Sequence, residues 1–120
     1  MAYHNKTGQE GESLAVKYFT DKGFTVLHTN WRHSHYEIDI IAQKGDKLHF
    51  IEVKTRTNTK YGFPEESVDR KKLENLMKAG EAFLHQFPLW KKIQYDVLAV
   101  HLYKDKPEEF YLFEDVYLYD

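Results

Sequence analysis

Residues 36–55 read YEIDIIAQKGDKLHFIEVKT, and the pattern of this stretch decides the fold. Tyr36–Ala42 and Lys47–Thr55 are two strands of alternating and β-branched residues, joined by the turn signal Lys44-Gly45-Asp46. A two-residue turn at Gly45-Asp46 sets Asp39 opposite Glu52 and Glu37 opposite Lys54. Side chains alternate along a strand, so these four share one face at the end of the hairpin away from the turn. The other face pairs Ile38 with Val53 and Ile40 with Ile51. Nearer the turn, Ile41 meets Phe50 on the carboxylate side, so the polar cluster borders buried structure.

On the N-terminal side of this hairpin, Thr7 with Glu10 forms a capping-box pattern and Gly23 a C-cap, predicting a helix over 8–22. Its inward stripe is Leu14, Ala15, Val16, Tyr18 and Phe19. Phe24–Trp31 reads as a strand. Beyond the hairpin, residues 56–66 are a polar loop, and Pro64-Glu65-Glu66 suit the start of a second helix running to about His85. Ile93–Tyr103 is a fourth strand, and the aromatic stretch Phe110–Tyr119 a further one. The order is α-β-β-β-α-β with a β addition, a single α/β domain over residues 1–120.

Composition sets the limits. The 120 residues, 42% apolar and 16% aromatic, suffice for one real core and exclude a largely disordered chain. No apolar run is long enough to cross a membrane, no signal peptide is evident, and the absence of cysteine excludes disulfides and thiolate metal sites. These features suggest a cytoplasmic protein. The net charge of −2 argues at first against a nucleic-acid partner. However, residues 107–120 hold five acids and no base, and without them the chain is +3.

Directly opposed side chains have Cβ atoms about 4.5–5.5 Å apart, where like charges repel. A sequence shaped only for stability would not set Asp39 against Glu52. A hard divalent cation between them removes the objection. Lys54 points to the same place, suited to a phosphate oxygen or a polarised water. Glu12 shares the inward stripe of the first helix, and Gly8 and Gly11 beside it permit close approach of backbone or ligand. His33-x-His35 has strand-like metal spacing but lies in a polar loop with no third partner, so no zinc site is assigned. Asp96, amid buried strand residues, is read as structural, bonding the backbone of the site.

Asp39, twelve residues, then Glu52-Val53-Lys54 resembles the D-(x)n-(D/E)-x-K signature of the PD-(D/E)XK nuclease superfamily, with Ile38 where that pattern has proline. The longer string is more specific. Gly8-x-x-Gly11-Glu12, Asn30-Trp31-Arg32, Glu37 to Ala42, Glu52 to Arg56, Gly62-x-Pro64, Val68, Lys71 and Tyr95-Asp96-Val97 resemble the YraN family of bacterial proteins over about residues 5–102. Tyr36 stands where many relatives have glycine, and Gln94 where an arginine often precedes the aromatic-Asp pair. The resemblance implies a restriction-endonuclease-like fold, similar to archaeal Holliday junction resolvases.

It also implies a site. Asp39, Glu52 and the Val53 carbonyl would hold magnesium or manganese, with Glu12 completing the shell, while Lys54 orients water or stabilises the transition state. The implied reaction is hydrolysis of a nucleic-acid phosphodiester, by an endonuclease on DNA, with branched repair or recombination intermediates among its candidate substrates. Arg32, Arg56, Lys60, Arg70, Lys71 and Lys72 are candidates to hold the backbone, and Trp31 and Tyr61 to stack on bases. Two rival readings stand beside this one. The first is a nucleic-acid-binding module that keeps the fold without catalysis. The second is an interaction protein whose acidic aromatic tail (Phe110, Tyr111, Phe113, Tyr117, Tyr119) packs on a partner or on a second copy in a homodimer.

Overall fold

The computed structural model describes residues 6–57 and 69–116. Two helices and five strands follow one another as α1 (Lys6–Asp21), β1 (Thr25–His33), β2 (Tyr36–Lys44), β3 (Lys47–Arg56), α2 (Arg70–Gln86), β4 (Lys92–His101) and β5 (Glu109–Phe113). The strands form one sheet in the order β1-β2-β3-β4-β5. Only β3 and β4 are parallel, since α2 carries the chain back between them, and the other neighbours are antiparallel. This is the expected αβββαβ core with a C-terminal strand. None of the described helices is long and apolar enough to cross a membrane.

Each helix covers one face of the sheet. Ala15 and Phe19 of α1 pack with Ile40, Ala42, Ile51, Val53, Leu98 and Val100. Leu73, Leu76, Ala79 and Phe83 of α2 pack with Ile38, Ile41, Leu48, Phe50 and Tyr95 on the opposite face. Gly23, at φ 91°, ends α1 in a Schellman arrangement, with the Phe24 amide donating to the Phe19 carbonyl at 3.0 Å and the Gly23 amide to Thr20 at 3.1 Å. Thr7 lies inside α1 rather than capping it. The α2 helix starts at Arg70, its N-cap Asp69 accepting from the Lys71 amide at 2.8 Å, so it begins after the Pro64–Glu66 stretch, which lies outside the described residues.

The hairpin register holds through Lys44↔Lys47, Ile41↔Phe50 and Ile40↔Ile51, with Gly45 at φ 63° making the turn. There the β2/β3 ladder stops, short of Asp39 and Glu52. Ile38 packs with Ile41 on the α2 face, whereas Val53 packs on the α1 face, so the expected Ile38–Val53 pair does not form. Strand β1 shows the same slip. His28 and Trp31, three residues apart, both set their rings edge-on to Phe83 of α2. The flanking pairs Thr29↔Ile40 and Trp31↔Ile38 place Asn30 across from Asp39, and Asn30 has φ 52°. A left-handed residue, which asparagine tolerates, breaks the two-residue period of β1 where that of β2 breaks.

One buried side chain is at odds with its surroundings. His101 is 3% exposed, and neither ring nitrogen has a hydrogen-bond partner among the described residues. Its ring lies edge-on to Tyr111, and burial pushes its pKa down, against the pull of Glu109. His101→Leu removes two unsatisfied polar atoms from the core. Chemical denaturation at pH 7 should show the variant more stable by about 1–2 kcal/mol. The gain should grow as the pH falls, because the native protein disfavours the protonated ring that the unfolded chain accepts.

Candidate active site

The slip at Asn30 and Asp39 builds the site. With the ladder interrupted, Asp39 Oδ2 accepts the Val53 amide at 2.8 Å, replacing a strand partner with a side chain. Asp39 and Ile40 then both lie toward α1, where Asp39 shares a cavity of about 240 Å³ with Glu12 and Asn30. Asp39 also lines an adjoining cleft of about 340 Å³ with Glu12, Glu52, Val53, Lys54 and Lys72. The expected group of Asp39, Glu52, Lys54, Val53 and Glu12 is thus brought together. It is assembled across a split in the sheet and not by a face-to-face Asp39/Glu52 pair on one ladder.

Close approach of α1 makes this possible. Gly11 is buried, and a Cβ there would overlap the Oγ1 of Thr55 in β3. Only glycine lets the helix axis come so near. Glu12, next along α1, is thereby held over the split, with Thr7 and Gly8 from the first turn also on the cleft wall. Thr55 and Asn30 stand within the motifs that carry the family resemblance, but neither was singled out there for a role in the site. The available clue was an asparagine, tolerant of a left-handed backbone, in the middle of a strand.

The electrostatics are those of carboxylates short of positive charge. Desolvation, and next the charge of Glu52, push the Asp39 carboxyl up to about 8, with smaller contributions from Glu12 and Glu37, while the Val53 amide pulls the other way. Desolvation also raises the Glu52 pKa, opposed chiefly by Lys54 and Lys72. Lys54 is 7% exposed, and its Nζ lies 3.4 Å from Glu52 Oε2. Burial, and then the neighbouring ammonium of Lys72, bring the Lys54 pKa down to about 8.

The sequence pairs Glu37 with Lys54. The structure instead gives Glu37 to Arg32, at 3.4 Å, and Lys54 to Glu52.

The candidate backbone-binding residues separate into groups. Lys72 and Arg56 line the cleft, Arg70 and Lys71 are exposed on the first turn of α2, and Arg32 is occupied with Glu37. Trp31 packs against Phe83 and stacks on His33, and it does not line the cleft. Lys60 and Tyr61 fall outside the described residues, as do Tyr117 and Tyr119 of the tail. His33 meets Gln86 at 3.2 Å and His35 lies against Tyr36. Asp96 does not bond the backbone of this site. It accepts from His49, Gln94 and the Asp115 amide toward the other end of the sheet.

The donor set suits a hard cation. It consists of carboxylate oxygens and a strand carbonyl, without sulfur or imidazole, in a partly desolvated cleft where positive charge would relieve carboxylate repulsion. Among the described residues no group of three or more His, Asp or Glu side chains stands close enough together to hold a metal ion by itself. A cation held here would rest on fewer protein ligands and complete its shell with several waters, as magnesium can.

The comparisons with known proteins agree with the motifs. The profile of the Uncharacterised protein family UPF0102 matches residues 11–100. A UPF0102 protein of Bacteroides thetaiotaomicron is 40% identical over 100 residues, covering 83% of each chain. One of Flavobacterium psychrophilum is 41% identical over 108 residues, covering 90% of this chain and 89% of its own. One of Dictyoglomus thermophilum is 40% identical over 102 residues, covering 84% and 86%. With most of its length matched by the profile and by these relatives, the chain belongs to the UPF0102 family, the YraN family that its motifs resemble.

Proposed function

We propose that this chain is a nuclease that hydrolyses nucleic-acid phosphodiesters, DNA first, with magnesium or manganese. The supporting observation is the split in the β2/β3 ladder, which opens one cleft to Asp39, Glu52, Lys54 and Glu12. Asp39, Glu52 and the Val53 carbonyl would hold the cation, and Glu12 would bind it directly or through water. When bound, a divalent ion supplies positive charge to a phosphoryl oxygen and makes a water more acidic. Lys54, held by Glu52, presents its ammonium where negative charge develops in phosphoryl transfer. Lys72 approaches from α2 and, with Arg56, adds positive charge beside Lys54. Arg56 and Lys72 engage the phosphates of the strand in the cleft, and Arg70 and Lys71 extend that basic surface, so binding weakens as salt rises.

Incubation of single-stranded, duplex and four-way-junction DNA with the protein and manganese tests this reading. Cleavage should fall at least about a hundredfold in Lys54→Ala, and further in Asp39→Ala and Glu52→Ala. Inactivity of the unaltered protein toward all three DNAs, with binding intact, would leave the binding-module reading in its place. Cleavage that survives all three substitutions would move the site elsewhere.

A further inference from the structure

Toward the C-terminal end of α1, about 9–15 Å along the helix from Glu12, lies a further and larger cavity of about 590 Å³. His49 lines it at 6% exposure, with its Nδ1 2.7 Å from Asp96 Oδ2. Asp96 is itself sealed at 1% exposure, accepting also from Gln94 Nε2 at 2.8 Å and the Asp115 amide at 2.9 Å. With Nδ1 engaged, Nε2 is the nitrogen His49 has for a ligand.

The walls of this cavity are aromatic and its edge is cationic. Tyr18 and Phe24 line it, and Lys22 and Lys44 lie over their rings at 4.8 Å and 5.0 Å. Lys47 reaches in from β3, its Nζ 3.1 Å from Gln94 Oε1. Asp46 on the rim is matched by Lys92 at 2.8 Å, which leaves Glu114 as the remaining acid against three lysines. A hydrogen-bond network that merely stapled β3 to β4 would need neither the open volume nor the lysines. Tyr18 also lies against Phe110, and the two lysines now cover the rings. A planar group that took their place would free both cations for an anion attached to it, above a buried polar floor.

We propose that this cavity binds a nucleoside 5′-monophosphate group, with the phosphate among Lys22, Lys44 and Lys47 and the base against Tyr18 and Phe24. Two sources carry that chemistry, a free mononucleotide and the 5′-phosphorylated end of a strand. The site needs no metal and stands apart from the carboxylate cleft, so it does not depend on nuclease activity.

The test is an NMR titration of the full chain in the presence of a chelator. Adenosine 5′-monophosphate should shift the Phe24, His49 and Gln94 resonances saturably. Adenosine and inorganic phosphate, each offering half of the chemistry, should bind at least about tenfold more weakly. The Lys22→Gln/Lys44→Gln double variant changes only exposed side chains, and unchanged spectral dispersion will report that it folds. It should lose at least about tenfold in affinity. Tighter binding of a 5′-phosphorylated oligonucleotide than of the mononucleotide and of its 5′-hydroxyl counterpart identifies the strand end as the source. The reverse order identifies the free nucleotide. Absence of saturable shifts at these residues, or equal affinity in the double variant, overturns the proposal. DNA cleavage by the same preparation with manganese reports separately on the carboxylate cleft.

Discussion

Asp39→Asn should leave the metal-free protein as stable as the unaltered one near pH 4 and make it increasingly more stable up to about pH 8, with the full difference present at pH 9. The reason is the carboxyl pKa of about 8, against an ordinary value of 3.8. Between those values the native state holds a proton that the unfolded chain has released, so the contribution of Asp39 to stability declines as pH rises and is lost on passing 8. Asparagine keeps an oxygen for the Val53 amide and has no proton to lose. Thermal melts with a chelator should show the two proteins diverging with pH, by about 4–8 °C at pH 9 if 1–2 kcal/mol is at stake. Manganese should reverse the ranking. It should stabilise the unaltered protein, more so at higher pH because binding displaces the Asp39 proton, and leave the variant unmoved. Cleavage should fall by about a thousandfold or more in the variant. Parallel melting curves at every pH would mean that Asp39 is not the group under strain.

Gly11→Ala should be strongly destabilising, although it adds a single methyl group. Helix propensity favours alanine by about 1 kcal/mol. Sterics oppose it, since the new carbon would overlap Thr55 Oγ1 and approach Thr55 Cβ and Cγ2 to 2.8 Å. Thr55 is β-branched on a central strand and cannot withdraw. The helix must lift, at a cost of about 2–3 kcal/mol, and Glu12 lifts with it. Denaturation should report the lost stability, and calorimetry a weaker manganese affinity. Adding Thr55→Gly supplies the discriminating result. That change should cost markedly less in the Gly11→Ala background than alone, because it removes the atoms in conflict. Strict additivity would show that the two residues do not meet.

What could be read from the sequence is what the chain encodes locally. The turn at Gly45-Asp46 sets the register of β2 and β3, so Ile40↔Ile51 and Ile41↔Phe50 follow from counting residues. The order of elements follows from two helical stripes separated by strand-like runs. The residues gathered in the cleft were legible because carboxylates and a lysine interrupt apolar strands. What could not be read depends on distant parts of the chain. The slip at Asp39 exchanges a backbone hydrogen bond for one from a side chain, which leaves no trace in a hydrophobic pattern. Lys72 meets Lys54, and Asp96 meets His49, only once α2 has carried the chain back to lay β4 parallel to β3. Their register is set by packing and not by a short turn, so counting does not reach it. The Arg32–Glu37 pair, by contrast, sits beside the short turn at Ser34-His35, in the regular part of the β1/β2 register, and lay within reach of counting.

The kink has a consequence away from the cleft. Among the described residues β1 is an edge strand of the sheet and its residues are largely exposed, the kind of surface on which chains add to one another and aggregate. It carries two interruptions, the irregular register between Val26 and His28 and the left-handed Asn30. Neither half offers an unbroken row of amides and carbonyls long enough for a stray strand to zip along. The distortion that turns Asp39 toward α1 thus also protects the molecule from its neighbours in a concentrated solution. A substitution that straightened β1 would be expected to cost solubility as well as the site.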